Sequence, residues 1–312
     1  MLVMGNPRDV RPSDASGDSA GTDLSDEESD ALTPSGATGQ HASALPSTSG
    51  QKLTLRGRAG SVPATVEEMG TGAAVVFLHG LVGLNEHWEE VVRLSESSVR
   101  CIMLQMPLLD LRGEDCSIDG VTDLTVDFLE QHFDHPVVLV GNSFGGHVAL
   151  RVALQRPDLV RGLVLAGSSG LIEKSMVSDI QIRPSRAWLE RKLGELFYDP
   201  STHMRESDLE RAHQQLSERG GARAMVRLSR SARRNHLGSR MSAIEAPTLL
   251  IWGKQDIVTP PEAAKQFAGM LPKSKLVWFD RCGHVPMMEH PEPFAAELTE
   301  FVHSLGPEKP RA

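Results

Sequence analysis

Ser143, Asp256 and His284 have the residue types and surroundings for nucleophilic catalysis. A serine hydroxyl is a poor nucleophile at neutral pH, so it needs a base to take its proton, and the base needs a carboxylate to orient it. Ser143 lies in Pro136-Val137-Val138-Leu139-Val140-Gly141-Asn142-Ser143-Phe144-Gly145-Gly146-His147. There an apolar run enters a Gly-x-Ser-x-Gly turn and a helix-like segment, His147 to Arg156, follows before Pro157. Such a turn pushes the serine out at the carboxyl end of a buried strand, and Gly141 and Gly145 supply the room.

Asp256 comes just after the apolar run Thr248 to Trp252, and His284 just after Lys275 to Phe279. Both are loop positions at the carboxyl ends of strands, the edge where Ser143 also stands and where open parallel sheets place their sites. Acyl transfer puts negative charge on oxygen, which backbone N–H groups must meet. The expected donors are Phe144, at the start of the nucleophile helix, and Leu81, directly after His79-Gly80. His132 and His135 flank Phe133-Asp134 before the nucleophile strand with no third ligand near, so no metal is expected. No cofactor is expected either.

Strands alternating with helices must carry these residues. Short strands are expected at Lys52 to Arg58 and Pro63 to Glu68, then buried ones at Ala73 to Leu78, Arg100 to Met106 and Val160 to Ala166. Helices are expected at Asn85 to Glu96 and Thr122 to His132, and later at Pro261 to Leu271 and Pro293 to Leu305. This alternation indicates crossover connections and a mostly parallel sheet. From 171 to 240 it stops: Trp188, Leu189, Leu193, Leu196, Leu209, Leu216, Met225 and Leu228 recur at helical spacings, so the segment reads as a helical insertion. The α/β core is then 51–170 with 241–312.

Residues 1–50 are rich in Ser, Asp, Gly and Pro, with 8 acidic against 2 basic residues. So few large apolar groups cannot offset the entropy of ordering, and a disordered tail is expected. The net charge of −9 argues against a nucleic-acid binder. Three scattered cysteines point to reduced thiols. No basic leader with an apolar run opens the chain and no stretch could span a bilayer, so a cytoplasmic location is expected. Residues 171–240 are basic, with 14 Lys and Arg against 9 Asp and Glu.

With its order Ser, Asp, His, the chain resembles the α/β-hydrolase superfamily from about Lys52 to Leu305. The resemblance rests on His79-Gly80, Gly141-Asn142-Ser143-Phe144-Gly145-Gly146, Trp252-Gly253-Lys254-Gln255-Asp256 with Pro260, and Gly283-His284 with Glu289-His290-Pro291. It implies an eight-stranded, mostly parallel sheet flanked by helices, with a helical cap roofing the pocket. The elbow is similar to that of meta-cleavage product hydrolases, which cut carbon–carbon bonds, although Val285-Pro286-Met287-Met288 stand where those enzymes carry a tryptophan. Ser143 argues against dehalogenases and epoxide hydrolases, whose elbow holds aspartate.

The first expectation is therefore a serine hydrolase for carboxylic esters. A carbon–carbon hydrolase and a non-catalytic binding protein on the same fold are the alternatives. The small-molecule substrate is expected to be apolar, against a wall of His79, Gly80, Leu81, Phe144, Val285, Met287 and Met288. It would be anionic if one of Arg219, Arg223, Arg227, Arg230, Arg233 and Arg234 reaches the pocket.

Overall fold

Alternating segments at one edge and apolar runs across the rest, each of five to nine residues, become the strands of one sheet. In a computed structural model, residues 50–171, 184–308 and 310 are described. The tail expected over 1–50 lies outside them apart from Gly50, as does 172–183 within the insertion. The strands are β1 (Gln51–Arg56), β2 (Ser61–Met69), β3 (Ala74–Leu78), β4 (Arg100–Gln105), β5 (Val137–Asn142), β6 (Val160–Ala166), β7 (Thr248–Gly253) and β8 (Ser274–Phe279). Their spatial order is β1-β2-β4-β3-β5-β6-β7-β8. Only β2 runs against its neighbours; every pairing from β4 to β8 is parallel.

The helices are α1 (Glu89–Ser95), α2 (Ile118–His132), α3 (Phe144–Gln155), α4 (Arg186–Gly194), α5 (Pro200–His203), α6 (Glu206–Ser217), α7 (Arg219–Arg234), α8 (Pro261–Met270), α9 (Pro286–Glu289) and α10 (Pro291–Ser304). Successive strand residues point to opposite faces, so each face builds its own core. Val76, Leu78 and Leu139 pack with Ile118 of α2, Val148 of α3 and Phe267 of α8. Val75, Phe77, Val138 and Val140 pack with Val91 of α1 and with Phe294 and Leu298 of α10. A third cluster joins Leu189, Leu193, Leu209, Leu216 and Met225 of α4, α6 and α7 to Leu109, with Leu81 and Val82 against it. The helices between β6 and β7 therefore pack onto the loop that leaves β3.

Several helix ends differ from the sequence reading. α2 starts at Ile118 rather than Thr122 because Ser117 Oγ accepts the Gly120 N–H at 3.0 Å and caps the helix. α3 starts at Phe144, three residues earlier than expected, since its Gly-Gly opening hides the first turn from a propensity reading. The helix expected from Asn85 breaks at Trp88 into a 3₁₀ turn, Asn85–His87, and α1. α10 begins at Pro291, with proline in its first turn.

The strand order also places the site. β4 lies on one side of β3 and β5 on the other, so the connections leaving β3 and β5 part in opposite directions. A crevice opens at their carboxyl ends.

Candidate active site

Ser143 stands where β5 turns into α3. Its backbone is at φ 53° and ψ −116°, a conformation that a side chain disfavours. Glycine makes the turn possible: a β-carbon on Gly141 would lie 2.5 Å from the Gly145 carbonyl carbon, and one on Gly145 would lie 2.2 Å from Leu78 O. Backbone hydrogen bonds hold the strained residue. Its N–H donates to Ala166 O at 3.1 Å, and its carbonyl accepts from Ser169 N–H at 3.0 Å and His147 N–H at 3.2 Å.

Asp256, on the turn after β7, is 2 % exposed and fully occupied as an acceptor. Oδ1 accepts the N–H groups of Val258 and Thr259 at 2.8 and 2.9 Å. Oδ2 accepts the Thr259 hydroxyl at 2.8 Å and lies 2.9 Å from His284 Nδ1. Since a carboxylate only accepts, the His284 proton sits on Nδ1 and Nε2 keeps its lone pair.

The loop of His284 is tied from three sides. Its N–H donates to Leu196 O at 2.7 Å, its carbonyl accepts Asn142 Nδ2–H at 3.0 Å, and the Gly283 N–H donates to Glu289 Oε2 at 2.6 Å. Glu289 Oε1 also takes the N–H groups of Tyr198 and Asp199, at 2.7 and 3.3 Å. Asn142, Thr259 and Glu289 thus position the site, and sequence reasoning assigned a role to none of them. Asn142 and Glu289 lay inside quoted motifs; their partners are too far along the chain for spacing to reveal.

Ser143 and His284 line one cavity of about 120 Å³, with Gly80, Leu81, Val285 and Met288 of the expected wall. Leu193, Leu196, Phe197, Met204 and Met225 close it from the helical insertion. Among the six arginines singled out in the sequence, Arg233 lines it. Among the described residues the N–H groups of Leu81 and Phe144 donate to no hydrogen bond, which leaves both for a ligand oxygen.

Three wall residues are corrected. Met287 precedes Met288 on α9, and consecutive helical residues point about 100° apart; Met287 is 2 % exposed and packs in the cluster with Phe294. The Phe144 ring lies in the opposite core. His79 faces a neighbouring cavity of about 420 Å³ and is a buried pin. Its Nε2 accepts Met106 N–H at 3.2 Å, so Nδ1 carries the proton and donates to Gly80 O at 2.8 Å. Burial, with a further push from His87, lowers its pKa to about 4 against the backbone contacts. The neutral ring holds Gly80, and so the loop of Leu81, in place.

Cys282, two residues before His284, is fully buried, and burial with the nearby Glu289 and Asp256 pushes its thiol up. Cys101 and Cys116 are also buried and unpaired. Among the described residues no three His, Cys, Asp or Glu side chains converge in a metal-binding group, and no helix is long and apolar enough to cross a membrane.

Residues 75–297 match the model of the alpha/beta hydrolase family. The chain is 27 % identical over 252 residues to the pimeloyl-[acyl-carrier protein] methyl ester esterase of Nitrosomonas europaea, covering 74 % of this chain and 96 % of the esterase. It is 27 % identical over 256 residues to a 2-hydroxy-6-oxononadienedioate/2-hydroxy-6-oxononatrienedioate hydrolase of Pseudomonas putida, covering 75 % and 90 %. Among solved structures, an alpha/beta hydrolase enzyme from the metagenome of Mar Chica lagoon sediments superposes with a TM-score of 0.63 at 29 % identity, over 77 % of this chain and 95 % of that one.

Proposed function

The chain belongs to the alpha/beta hydrolase family and is a hydrolase; on that premise we propose that it cleaves carboxylic esters of an apolar acid through an acyl-enzyme on Ser143. The observation that carries this reading is the buried contact of 2.9 Å between His284 Nδ1 and Asp256 Oδ2, with His284 lining the same cavity as Ser143. Ser143 Oγ attacks the ester carbonyl carbon as His284 Nε2 takes its proton, and the oxyanion is met by the N–H groups of Leu81 and Phe144. The intermediate collapses with loss of the alcohol, which receives that proton from His284. Water, deprotonated in turn by His284, then attacks the acyl-enzyme and releases the acid and Ser143. Asp256 holds the imidazole in the tautomer that can accept a proton. Three buried, unpaired thiols fit a reducing compartment, the cytoplasm.

A carbon–carbon hydrolase on the same residues is the second reading. It is favoured by the Gly141-Asn142-Ser143-Phe144-Gly145-Gly146 elbow and by Arg233 at the cavity, a guanidinium suited to an acidic substrate. Short-chain aryl esters at neutral pH, given to the wild type and to Ser143→Ala, test the first. Turnover is expected in the wild type and a loss of at least about 10⁴-fold in the variant, with an unchanged melting temperature. Full turnover in Ser143→Ala would sink the assignment of the nucleophile. Turnover of vinylogous diketo acids but of no ester would select the second reading.

A further inference from the structure

One turn is shared by two cavities. Gly83 N–H donates to Gly80 O at 3.0 Å, and the turn this closes, with Leu81 and Val82 at its tip, lines both the cavity of Ser143 and the neighbouring one of about 420 Å³. That second volume takes no part in the ester cleavage. It has the size of a small-molecule site, and it opens beside the residues that end or follow β3 and β4, at the carboxyl edge of the sheet.

The register of the sheet builds its polar wall. Lys52 pairs with Thr65 and Thr65 with Gln105, and His79 follows Leu78, which pairs with Leu104. Paired residues on neighbouring strands point to the same face, so one row crosses β1, β2, β4 and the end of β3, and all four residues line the cavity. Half of the row is occupied within the protein: Gln105 Oε1 accepts Asn85 N–H at 2.8 Å, and Gln105 Nε2 donates to His79 Nε2 at 3.0 Å. The other half is open. Lys52 is exposed and Thr65 half-buried, and among the described residues neither the ammonium nor the hydroxyl has a hydrogen-bond or ion-pair partner. Pro63, Ala64, Val82, Met106, Pro107 and Leu109 supply apolar surface.

Two adjacent donors, one of them cationic, suit a carboxylate, and the apolar surface suits a hydrocarbon tail. Asp110, the acidic residue of the wall, belongs to the 3₁₀ turn Leu108–Asp110 after β4. A carboxylate turned toward it would meet like charge, which sets the head group at Lys52.

We propose that this second cavity binds an apolar carboxylate, head group on Lys52 and Thr65, and that the bound molecule raises turnover at Ser143. The binding stands on the cavity alone; the effect on turnover rests on the ester-hydrolase reading. The link is the shared turn. Leu81, whose N–H is to meet the oxyanion, has a cavity on either side, and His79, from the wall of the second, holds Gly80 O through Nδ1–H at 2.8 Å. A tail that fills this space limits the freedom of the turn and keeps the donor aimed at the developing charge.

The test uses the full chain, octanoate as the probe and a short-chain aryl ester as substrate. In calorimetric titration of Ser143→Ala, octanoate is expected to bind and to weaken about tenfold when Lys52→Glu is added, while octylammonium gains affinity for that double variant. In the wild type, saturating octanoate is expected to raise kcat about threefold, and Lys52→Glu to abolish the rise. Octanoate affinity indifferent to Lys52→Glu overturns the proposal, as does octylammonium as the better ligand of the unchanged cavity. So does octanoate that raises KM alone, as a competitor in the catalytic cavity. Should Lys52→Glu fail to fold, Lys52→Leu takes its place, and equal affinity there overturns the site. Titration needs no turnover, which separates the two readings. Lys52-dependent binding without Ser143-dependent hydrolysis keeps the site and sinks the ester reading, whereas hydrolysis without Lys52-dependent binding does the reverse.

Discussion

Asp256 shows how much of this site depends on the direction of single hydrogen bonds. Its carboxylate receives two backbone N–H groups on one oxygen and the Thr259 hydroxyl and His284 Nδ1–H on the other. Asp256→Asn keeps the shape but has one acceptor for these four donors. If the amide oxygen keeps the Val258 and Thr259 N–H groups, its NH₂ faces His284 Nδ1 and forces the proton to Nε2. The ring can then no longer take the Ser143 proton, so kcat for an aryl ester is expected to fall about 10⁴-fold. Pre-steady-state acylation, followed in a protein whose melting temperature is checked, measures this; an acylation rate within tenfold of the wild type would remove Asp256 from the mechanism. Ser143, Asp256 and His284 were legible in the sequence because each follows an apolar strand signature. The side chains that hold them were not. Asn142 bonds a carbonyl 142 residues away and Glu289 bonds amides 90 and 91 residues away, and no local pattern encodes such partners.

At the scale of elements, the alternation of strands and helices could be read from apolar runs and turn residues, and eight strands stand close to where those runs predict them. Their lateral order could not, because period and propensity say nothing about which strand pairs with which. Short elements escaped for a related reason: α9 has four residues, fewer than a periodic pattern needs. Yet α9 carries Glu289, whose buried carboxylate joins the His284 loop to the residues after α4. Glu289→Ala strips the acceptor from three N–H groups, those of Gly283, Tyr198 and Asp199. Leaving such donors unpaired costs about 1–3 kcal/mol per group before relaxation, so a loss of roughly 3 kcal/mol in urea unfolding is expected. Turnover should fall in the same variant, as the loop that presents His284 loosens. A variant as stable and as active as the wild type would mean that water replaces the carboxylate without cost.

The molecule as a whole has a pH window set by groups that folding keeps uncharged. His79 and His147 are buried, and burial lowers their pKa values to about 4 and about 3, with Arg151 adding to the effect on His147. Both start from 6.5 in the unfolded chain. Between 6.5 and the folded values the unfolded state binds more protons, so stability is full above 6.5 and falls as pH drops through this range. For His79 the loss reaches roughly 3 kcal/mol by pH 4. On the alkaline side the sign reverses. Burial raises the thiol of Cys101 from 9.0 to about 12 and raises Cys116 and Cys282 as well, so above pH 9 the unfolded state is the one that has lost protons and stability falls again. Unfolding free energies from urea titrations should therefore form a plateau between about pH 6.5 and 9 with a decline on each side. His147→Leu isolates one contribution. Among the described residues neither ring nitrogen meets a partner at good hydrogen-bond geometry; the backbone of Asn235 opposes the downward shift only in part, so an apolar side chain forfeits little there. The variant should match or exceed the wild type at pH 8 and lose stability less steeply between pH 6.5 and 4. An acid slope identical to that of the wild type would show that His147 is already protonated in the folded protein, or that its proton is taken up equally by both states.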